Sequence, residues 1–201
     1  MARYPEKRRQ ALEATMRQEV FRVASGILRE AGLKALTMDR IAREVGVSRA
    51  TLYNYFADSD AVMNFVEARA FEPVAERVAD IVANADSAPE KLEAVARTVL
   101  GALYEERALL MALFAKQALH GPRAEQKRRH RARILDQVQM VITAGIAEGS
   151  LRQVPPRLAA DAFMGALGGL IDSMVYADAF RPADEIVPGL MDVLRFGLDR
   201  R

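Results

Sequence analysis

Residues 37–56, with the sequence TMDRIAREVGVSRATLYNYF, decide the fold of this chain. Thr37 is a favourable N-cap, because its hydroxyl can accept a hydrogen bond from a backbone N–H one turn into the helix. Gly46 predicts the end of that helix, since a left-handed backbone is easiest for glycine. Ser48 is a second N-cap, and apolar residues four apart give the following helix an inner face. The stretch therefore predicts a helix-turn-helix, whose second helix enters the DNA major groove with its N-terminal residues nearest the bases.

The same stretch resembles the DNA-binding signature of the TetR family of transcriptional regulators. The matching residues are Thr37, Ile41-Ala42, Gly46-Val47-Ser48, Thr51-Leu52-Tyr53, Tyr55 and Phe56. Two positions depart from the signature, because the family most often has His where Tyr55 stands and commonly Lys where Ser59 stands. The second difference removes an expected phosphate contact. The alternative interpretation is two packed helices without a role in DNA binding.

Side chains near the start of the second helix are the candidate base readers. Arg49 can read guanine through O6 and N7, and Ala50 can touch a thymine methyl group. By resemblance, Thr51 and Tyr53 are better placed for phosphate oxygens. Hydroxyls and free N–H groups at helix N-termini also suit phosphates. The complete set of candidate DNA-binding residues is Thr37, Ser48, Arg49, Ala50, Thr51, Tyr53, Asn54 and Tyr55.

The resemblance also implies an all-α fold of about nine helices. We expect residues 1–58 to form the DNA-binding domain and residues 59–201 a helical domain for ligand binding and dimerisation. Pro73 should kink or split the fourth helix, whereas Ser87-x-x-Glu90 is a capping-box signature for the fifth. An apolar stripe predicts the core of the first helix, namely Leu12, Met16, Val20, Val23, Ala24, Ile27 and Leu28. Later helices are expected at about 108–119, 122–148, 157–178 and 183–198.

The composition restricts the class of protein. The chain has 201 residues, 51% apolar and 28% charged, so it can bury a substantial core and is globular rather than disordered. It contains no cysteine, which excludes disulfides and thiolate metal sites. The longest apolar run, residues 162–171, is too short to span a bilayer, and no apolar segment follows the basic N-terminus. We therefore expect a soluble, cytoplasmic protein without a membrane partner.

Positive charge is concentrated in two segments, because the net charge of the whole chain is only +2. The first is a basic arm, residues 3–9, which either contacts phosphates or is a disordered, solubilising tail. The second is either a surface for acidic effectors or nucleic acid, or a solvated helix face. Its members are Lys116, His120, Arg123, Lys127, Arg128, Arg129, His130, Arg131 and Arg133. The two histidines lack metal-ligand spacing, and no phosphate loop or catalytic triad pattern is present, so we expect neither enzymatic activity nor a cofactor.

Three glycines in the eighth helix, at positions 165, 168 and 169, need a packing reason, because each costs about 0.8–1 kcal/mol relative to alanine. Small residues let another helix approach closely, and in the TetR family the last two helices form a four-helix dimer interface. The candidate interface residues are Phe163, Gly165, Leu167, Gly169, Leu170, Met174, Leu190 and Leu194. Packing within the chain is the alternative.

A ligand pocket in the middle helices is implied by the resemblance alone. Core packing would explain the candidate lining residues equally well, and these are Phe65, Tyr104, Met111, Phe114, Met140 and Tyr176. Their apolar character favours a hydrophobic effector. The sequence as a whole is interpreted as a homodimeric, ligand-responsive repressor that leaves a palindromic double-stranded operator when a small effector binds. The rival is a helical ligand-binding or scaffold protein of the same fold without specific operator binding.

Overall fold

The computed structural model describes residues 6–114 and 123–196, except the side chains of residues 110, 112–114, 123–131 and 196. Within these ranges the chain is all-α, with nine α-helices, one 3-10 turn and no strand, as predicted. The 3-10 turn is Leu33–Ala35. The α-helices are α1 (Glu6–Ala31), α2 (Met38–Val45), α3 (Arg49–Tyr53), α4 (Ser59–Ala83), α5 (Ala88–Glu105), α6 (Arg107–Phe114), α7 (Arg123–Glu148), α8 (Pro156–Ala177) and α9 (Ala183–Phe196).

The chain divides into two compact units. The first contains residues 6–70 and α6 from Ala108, and the second contains Phe71–Arg107 and the chain from Ala124 onward. The first unit thus extends beyond the domain boundary that we predicted after Asp58. It does so because the start of α4 packs with the helix-turn-helix, where the Phe56 and Phe65 rings lie 5.2 Å apart between centroids.

Helix α1 is buried along only its second half. Val20 and Ile27 are buried, whereas every residue from Glu6 to Thr15 is exposed. Leu12, predicted as a core residue, is 55% exposed, so that part of the prediction is wrong. The apolar stripe identifies the helix face that is buried from Val20 onward, where α1 packs with α2 and the 3-10 turn.

Helix α4 begins at Ser59 and is not divided by its proline. The Asp58 carboxylate accepts a hydrogen bond from the backbone N–H of Ala61 at 2.7 Å, which caps the first turn. The helix then continues through Pro73 to Ala83, so it does not split there; the other predicted outcome, a kink, stays a prediction. A proline removes one backbone hydrogen bond, and the burial of Val74 and Val78 beyond it maintains the helix.

The core of the second unit is built around α5, which packs against α8 and α9. Its predicted capping box forms, because the Ser87 backbone N–H and hydroxyl both donate to the Glu90 carboxylate, at 2.9 and 2.6 Å. Ion pairs join α5 to α9: Arg97 pairs with Asp184, and Arg195 with Glu93. These contacts hold α9 along one side of α5.

Helix α8 buries one face within the chain and exposes another. Phe163, Leu167 and Met174 are buried in the core of the second unit. We predicted that these three would form a dimer interface, but a partner cannot reach residues that the chain's own helices already cover. The exposed face instead carries Gly165 and Gly169, where an added methyl group would meet open space.

The length and composition of α8 are those of a membrane-spanning helix, contrary to our expectation from its ten-residue apolar run. Less than a third of its most apolar window is buried within the chain. Its exposed positions, however, are mainly small or polar, such as Ala162, Gly165, Gly169 and Ser173. Lipid-facing helices expose bulky apolar residues, whereas small residues suit close packing against another helix.

Candidate nucleic-acid interface

The turn between α2 and α3 is fixed by the capping residues that the sequence predicts. Thr37 has an extended backbone, and its hydroxyl accepts from the Arg40 N–H at 3.2 Å. Gly46 has φ 81° and ψ 30°, the left-handed conformation that ends α2, and its N–H donates to the carbonyl of Ala42 at 3.0 Å. The next N–H, of Val47, donates to the same carbonyl at 3.0 Å. These bonds satisfy the last carbonyls of α2 and set the direction of α3.

Helix α3 is short and is held by a cap at one end and two anchors at the other. The Ser48 hydroxyl accepts from the Thr51 N–H at 3.0 Å and lies 2.8 Å from the Thr51 hydroxyl. Leu52 and Phe56 are buried and give α3 its inner face. Because both ends are fixed, the outer face of α3 is presented in one orientation.

That outer face contains most of the predicted DNA-binding residues. Arg49, Ala50, Tyr53 and Asn54 are exposed along it, as are both capping residues, Thr37 and Ser48. Thr51 and Tyr55 are half-buried, and the Thr51 hydroxyl is already paired with that of Ser48. The structure therefore brings six of the eight candidates to the surface of one motif.

The Arg49 guanidinium is paired with a carboxylate of the preceding helix. It forms an ion pair with Asp39, in the first turn of α2, with Nε 2.7 Å from Oδ1. The hydrogen bond with the Tyr53 side chain, and then the Asp39 carboxylate, raise the pKa of Arg49 above its ordinary value. Sequence reasoning missed this role of Asp39, because no sequence spacing relates two helices that meet only through the turn.

An aromatic cluster within the first unit packs beside the helix-turn-helix. Phe65 packs edge-on against Phe21, with centroids 6.4 Å apart, and against Phe56. The Arg17 guanidinium lies 5.2 Å above the Phe56 ring and 5.7 Å above the Phe65 ring. Cation–π contacts of this kind are worth about 0.5–1 kcal/mol at exposed sites. Phe65, predicted to line a ligand pocket, thus packs beside the recognition motif.

The structure describes the side chains of four of the other five predicted pocket residues. Met140 and Tyr176 are 58% and 90% exposed, so they lie on the surface of the single chain, and their assignment to a ligand pocket stays a prediction. Apolar side-chain type indicates neither burial nor direction. Tyr104 is half-buried, with the Arg107 guanidinium 5.5 Å above its ring, and Met111 is half-buried as well. The side chain of Phe114 lies outside the described residues.

The basic arm is helical in its described part. Lys7, Arg8 and Arg9 are exposed in the first turns of α1, and Arg9 pairs with Glu6 at 2.7 Å. Arg3 lies outside the described residues. Of the second basic cluster, only Arg133 has a described side chain, and it is exposed. Among the side chains that the structure describes, no three histidines or acids group as metal ligands.

The predicted dimer residues that are not buried lie on α8 and α9. Gly165 and Gly169 are exposed, and Leu170, Leu190 and Leu194 are half-buried. Three further apolar residues add to the exposed surface of these helices: Leu158, Tyr176 and Val193.

Two family profiles match the chain. Residues 21–64 match the family described as bacterial regulatory proteins, tetR family, and residues 85–172 match the tetracyclin repressor-like C-terminal domain. The first match contains the whole helix-turn-helix, and the second ends within α8. No curated protein sequence is similar to the chain at a significant level.

Solved structures share the fold along nearly all of the chain. The regulator FadR from Bacillus subtilis, in complex with stearoyl-CoA, is 18% identical with a TM-score of 0.78, covering 90% of this chain and 99% of its own. A TetR/AcrR family regulator from Thermobifida fusca is 24% identical with a TM-score of 0.75, covering 92% and 98%. The fatty acid degradation regulator FadR from Bacillus halodurans is 19% identical with a TM-score of 0.74, covering 92% and 97%. At these identities the likeness is one of fold.

Proposed function

Since the chain belongs to the TetR family of transcriptional regulators, we propose that it binds a palindromic operator as a homodimer and leaves it when a small effector binds. The observation that carries this proposal is the outer face of α3, which exposes Arg49, Ala50, Tyr53 and Asn54 between two fixed ends. A helix of this kind reads the major groove through its N-terminal residues.

Each exposed group has a contact that suits its chemistry. Arg49 reads guanine through O6 and N7, and Ala50 contacts a thymine methyl group. Tyr53 and the hydroxyls of Thr37 and Ser48 bind phosphate oxygens, which fixes the position of α3 on the duplex. Thr51 contributes indirectly, because its hydroxyl lies 2.8 Å from the Ser48 hydroxyl and holds it in place.

A homodimer follows from the need to read two half-sites, because a single helix-turn-helix reads only one. The exposed face of α8 supports it, since Gly165 and Gly169 leave open space for a partner helix. Leu158 and Tyr176, 65% and 90% exposed, lie at the two ends of that face and would be covered by the partner. Leu190 and Leu194 of α9 are half-buried in the single chain and are proposed to take part in the same interface.

The effector is proposed to bind the second unit in a state unsuited to the operator, so that DNA affinity falls by population shift. Stearoyl-CoA is the first compound to test, because a neighbour of the same fold has been solved in complex with it. The alternative function is ligand binding or scaffolding without an operator. Ser59, in the place of the family's common lysine, favours that alternative, because it adds no positive charge at the start of α4.

The test is a selection of duplexes from a randomised library with the full chain. We expect a two-fold symmetric site, bound far above background at physiological salt. Arg49→Ala should reduce discrimination at one base pair per half-site by about 1–3 kcal/mol. The control, Arg152→Ala, removes the same charge from an exposed position in the second unit and should leave the discrimination unchanged.

The outcomes separate the two functions. Uniform weak binding of every duplex by the unaltered chain would support the scaffold alternative. If Arg49→Ala weakened all sequences equally, Arg49 would be a phosphate contact and not a base reader. Release of the selected duplex by stearoyl-CoA, but not by coenzyme A alone, would identify an acyl effector.

A further inference from the structure

We propose that Asp39 is a specificity-determining residue of the DNA reader, because its carboxylate fixes the orientation of the Arg49 guanidinium and so determines how strictly Arg49 selects a base. This inference rests on the proposed function, in which Arg49 reads a base edge. Asp39 itself is a positioning residue, since it acts through Arg49.

The contact joins the two helices of the motif at its outer surface. Arg49, the first residue of α3, forms an ion pair with Asp39, in which Nε lies 2.7 Å from Oδ1. The side chains are 61% and 63% exposed. An ion pair this exposed contributes little to folding, so stability does not explain why a carboxylate occupies this place.

Affinity for DNA does not explain it either. A carboxylate beside the recognition helix repels phosphates and lowers the sequence-independent part of binding. Its favourable interaction with the N-terminus of α2 would be available to an acid anywhere in that first turn. What remains specific to Asp39 is its direct bond to the guanidinium of Arg49.

That bond can restrict how Arg49 meets a base. The guanidinium is a planar fork with five N–H donors. The Asp39 carboxylate lies 2.7 Å from its Nε, which leaves the two terminal nitrogens to face a base. A fork held by a neighbouring carboxylate loses less freedom on binding and tolerates fewer acceptor geometries. The expected result is sharper selection of a bidentate acceptor pair such as O6 and N7 of guanine.

The experiment compares two variants that each remove one negative charge from α2. Asp39→Asn breaks the pair with Arg49, whereas Glu44→Gln, the matched control, breaks the pair with Arg40, which also measures 2.7 Å. Dissociation constants are measured for the selected duplex and for its variant at the base pair that depends on Arg49. Their ratio is independent of the fraction of folded protein.

We expect Asp39→Asn to lower that ratio by about 1.5- to 5-fold, the range for an exposed ion pair, and Glu44→Gln to leave it unchanged. Both should raise affinity for random duplex to a similar degree. In an Arg49→Ala background, Asp39→Asn should no longer affect the ratio. Asp39→Ser, the second variant, should behave as the asparagine does.

An unchanged ratio in Asp39→Asn would overturn the proposal, and so would an equal loss in Glu44→Gln. A higher ratio would show that the carboxylate competes with the bases for Arg49, which also contradicts it. Failure of the proposed function looks different, because the unaltered chain would then select no duplex.

Discussion

Gly145, near the end of α7, is the position where the smallest substitution should have the largest effect on stability. A methyl group added there would lie 2.5 Å from Cβ of Ala88 and 2.8 Å from Cδ1 of Leu151. Cβ of Ala88 cannot rotate away, because it is attached directly to the backbone at the start of α5. The backbone of α5 or α7 must therefore move by roughly an ångström to restore ordinary van der Waals contact.

The net effect of Gly145→Ala is the difference between two terms. Overpacking a close-packed site costs about 1–3 kcal/mol, and a contact this short places the cost near the upper limit. Alanine regains about 1 kcal/mol through its higher helix propensity. We expect a net loss of about 2 kcal/mol, which lowers the melting temperature of a chain of this size by roughly 4–8 °C.

The assay is thermal unfolding followed by circular dichroism, at one protein concentration because dimerisation shifts apparent stability. Gly101→Ala in α5 is the matched control, since an added methyl group meets nothing within 4 Å, and it should raise the melting temperature by roughly 2–4 °C. Ala88→Gly should restore much of the stability that Gly145→Ala removes, because it deletes the colliding atom. The packing argument is refuted if Gly145→Ala melts at or above the unaltered protein.

Three further outcomes are expected. Gly169→Leu should raise the melting temperature of the separated chain by roughly 2–4 °C, as expected at Gly101, because an added Cβ meets open space and leucine has the higher helix propensity. Sedimentation of this variant should nevertheless show monomers; a stable dimer would exclude α8 as the interface. Hydrogen bonds from Ser87, the N-cap residue of α5, hold the pKa of Glu90 below the ordinary value of 4.5. This stabilisation is present above that value and is lost as the pH falls through the lower folded-state pKa. On acidification, the melting temperature of Glu90→Gln should therefore fall less than that of the unaltered protein. An equal fall in the two proteins would contradict this. Replacing Lys7, Arg8 and Arg9 by glutamine should lower the slope of log affinity against log salt by about 0.9 for each phosphate that the arm no longer neutralises, and an unchanged slope would show that the arm binds no phosphate.

Local signals in the sequence predict well where several of the helices begin and end. Thr37, Gly46 and Asp58 each act on backbone groups within four residues, so their chemistry can be read without knowing the fold. The same applies to the capping box at the start of α5. The helix-turn-helix was therefore predictable in detail, including which residues it exposes.

Contacts between distant residues were not predictable in the same way. A periodic apolar face says that a helix can pack but not what covers it, which is why Leu12 is exposed and Phe163 is buried. The penalty of Pro73 is local, whereas the packing that outweighs it is not. The pairing of Asp39 with Arg49 arises only when the turn brings two helices together.

The uneven burial of α1 has a consequence for how this helix opens. Its first ten residues touch no core, and ion pairs such as Arg9–Glu6 and Arg17–Glu13 support them along the helix surface. Such pairs contribute only about 0.2–0.5 kcal/mol each, and a helical segment this short is marginal in water. Amide hydrogens before Thr15 should therefore exchange with solvent by local fraying, and those from Val20 onward only by opening of the unit. One continuous helix thus contains a segment that unwinds readily and a segment that unwinds only with the core.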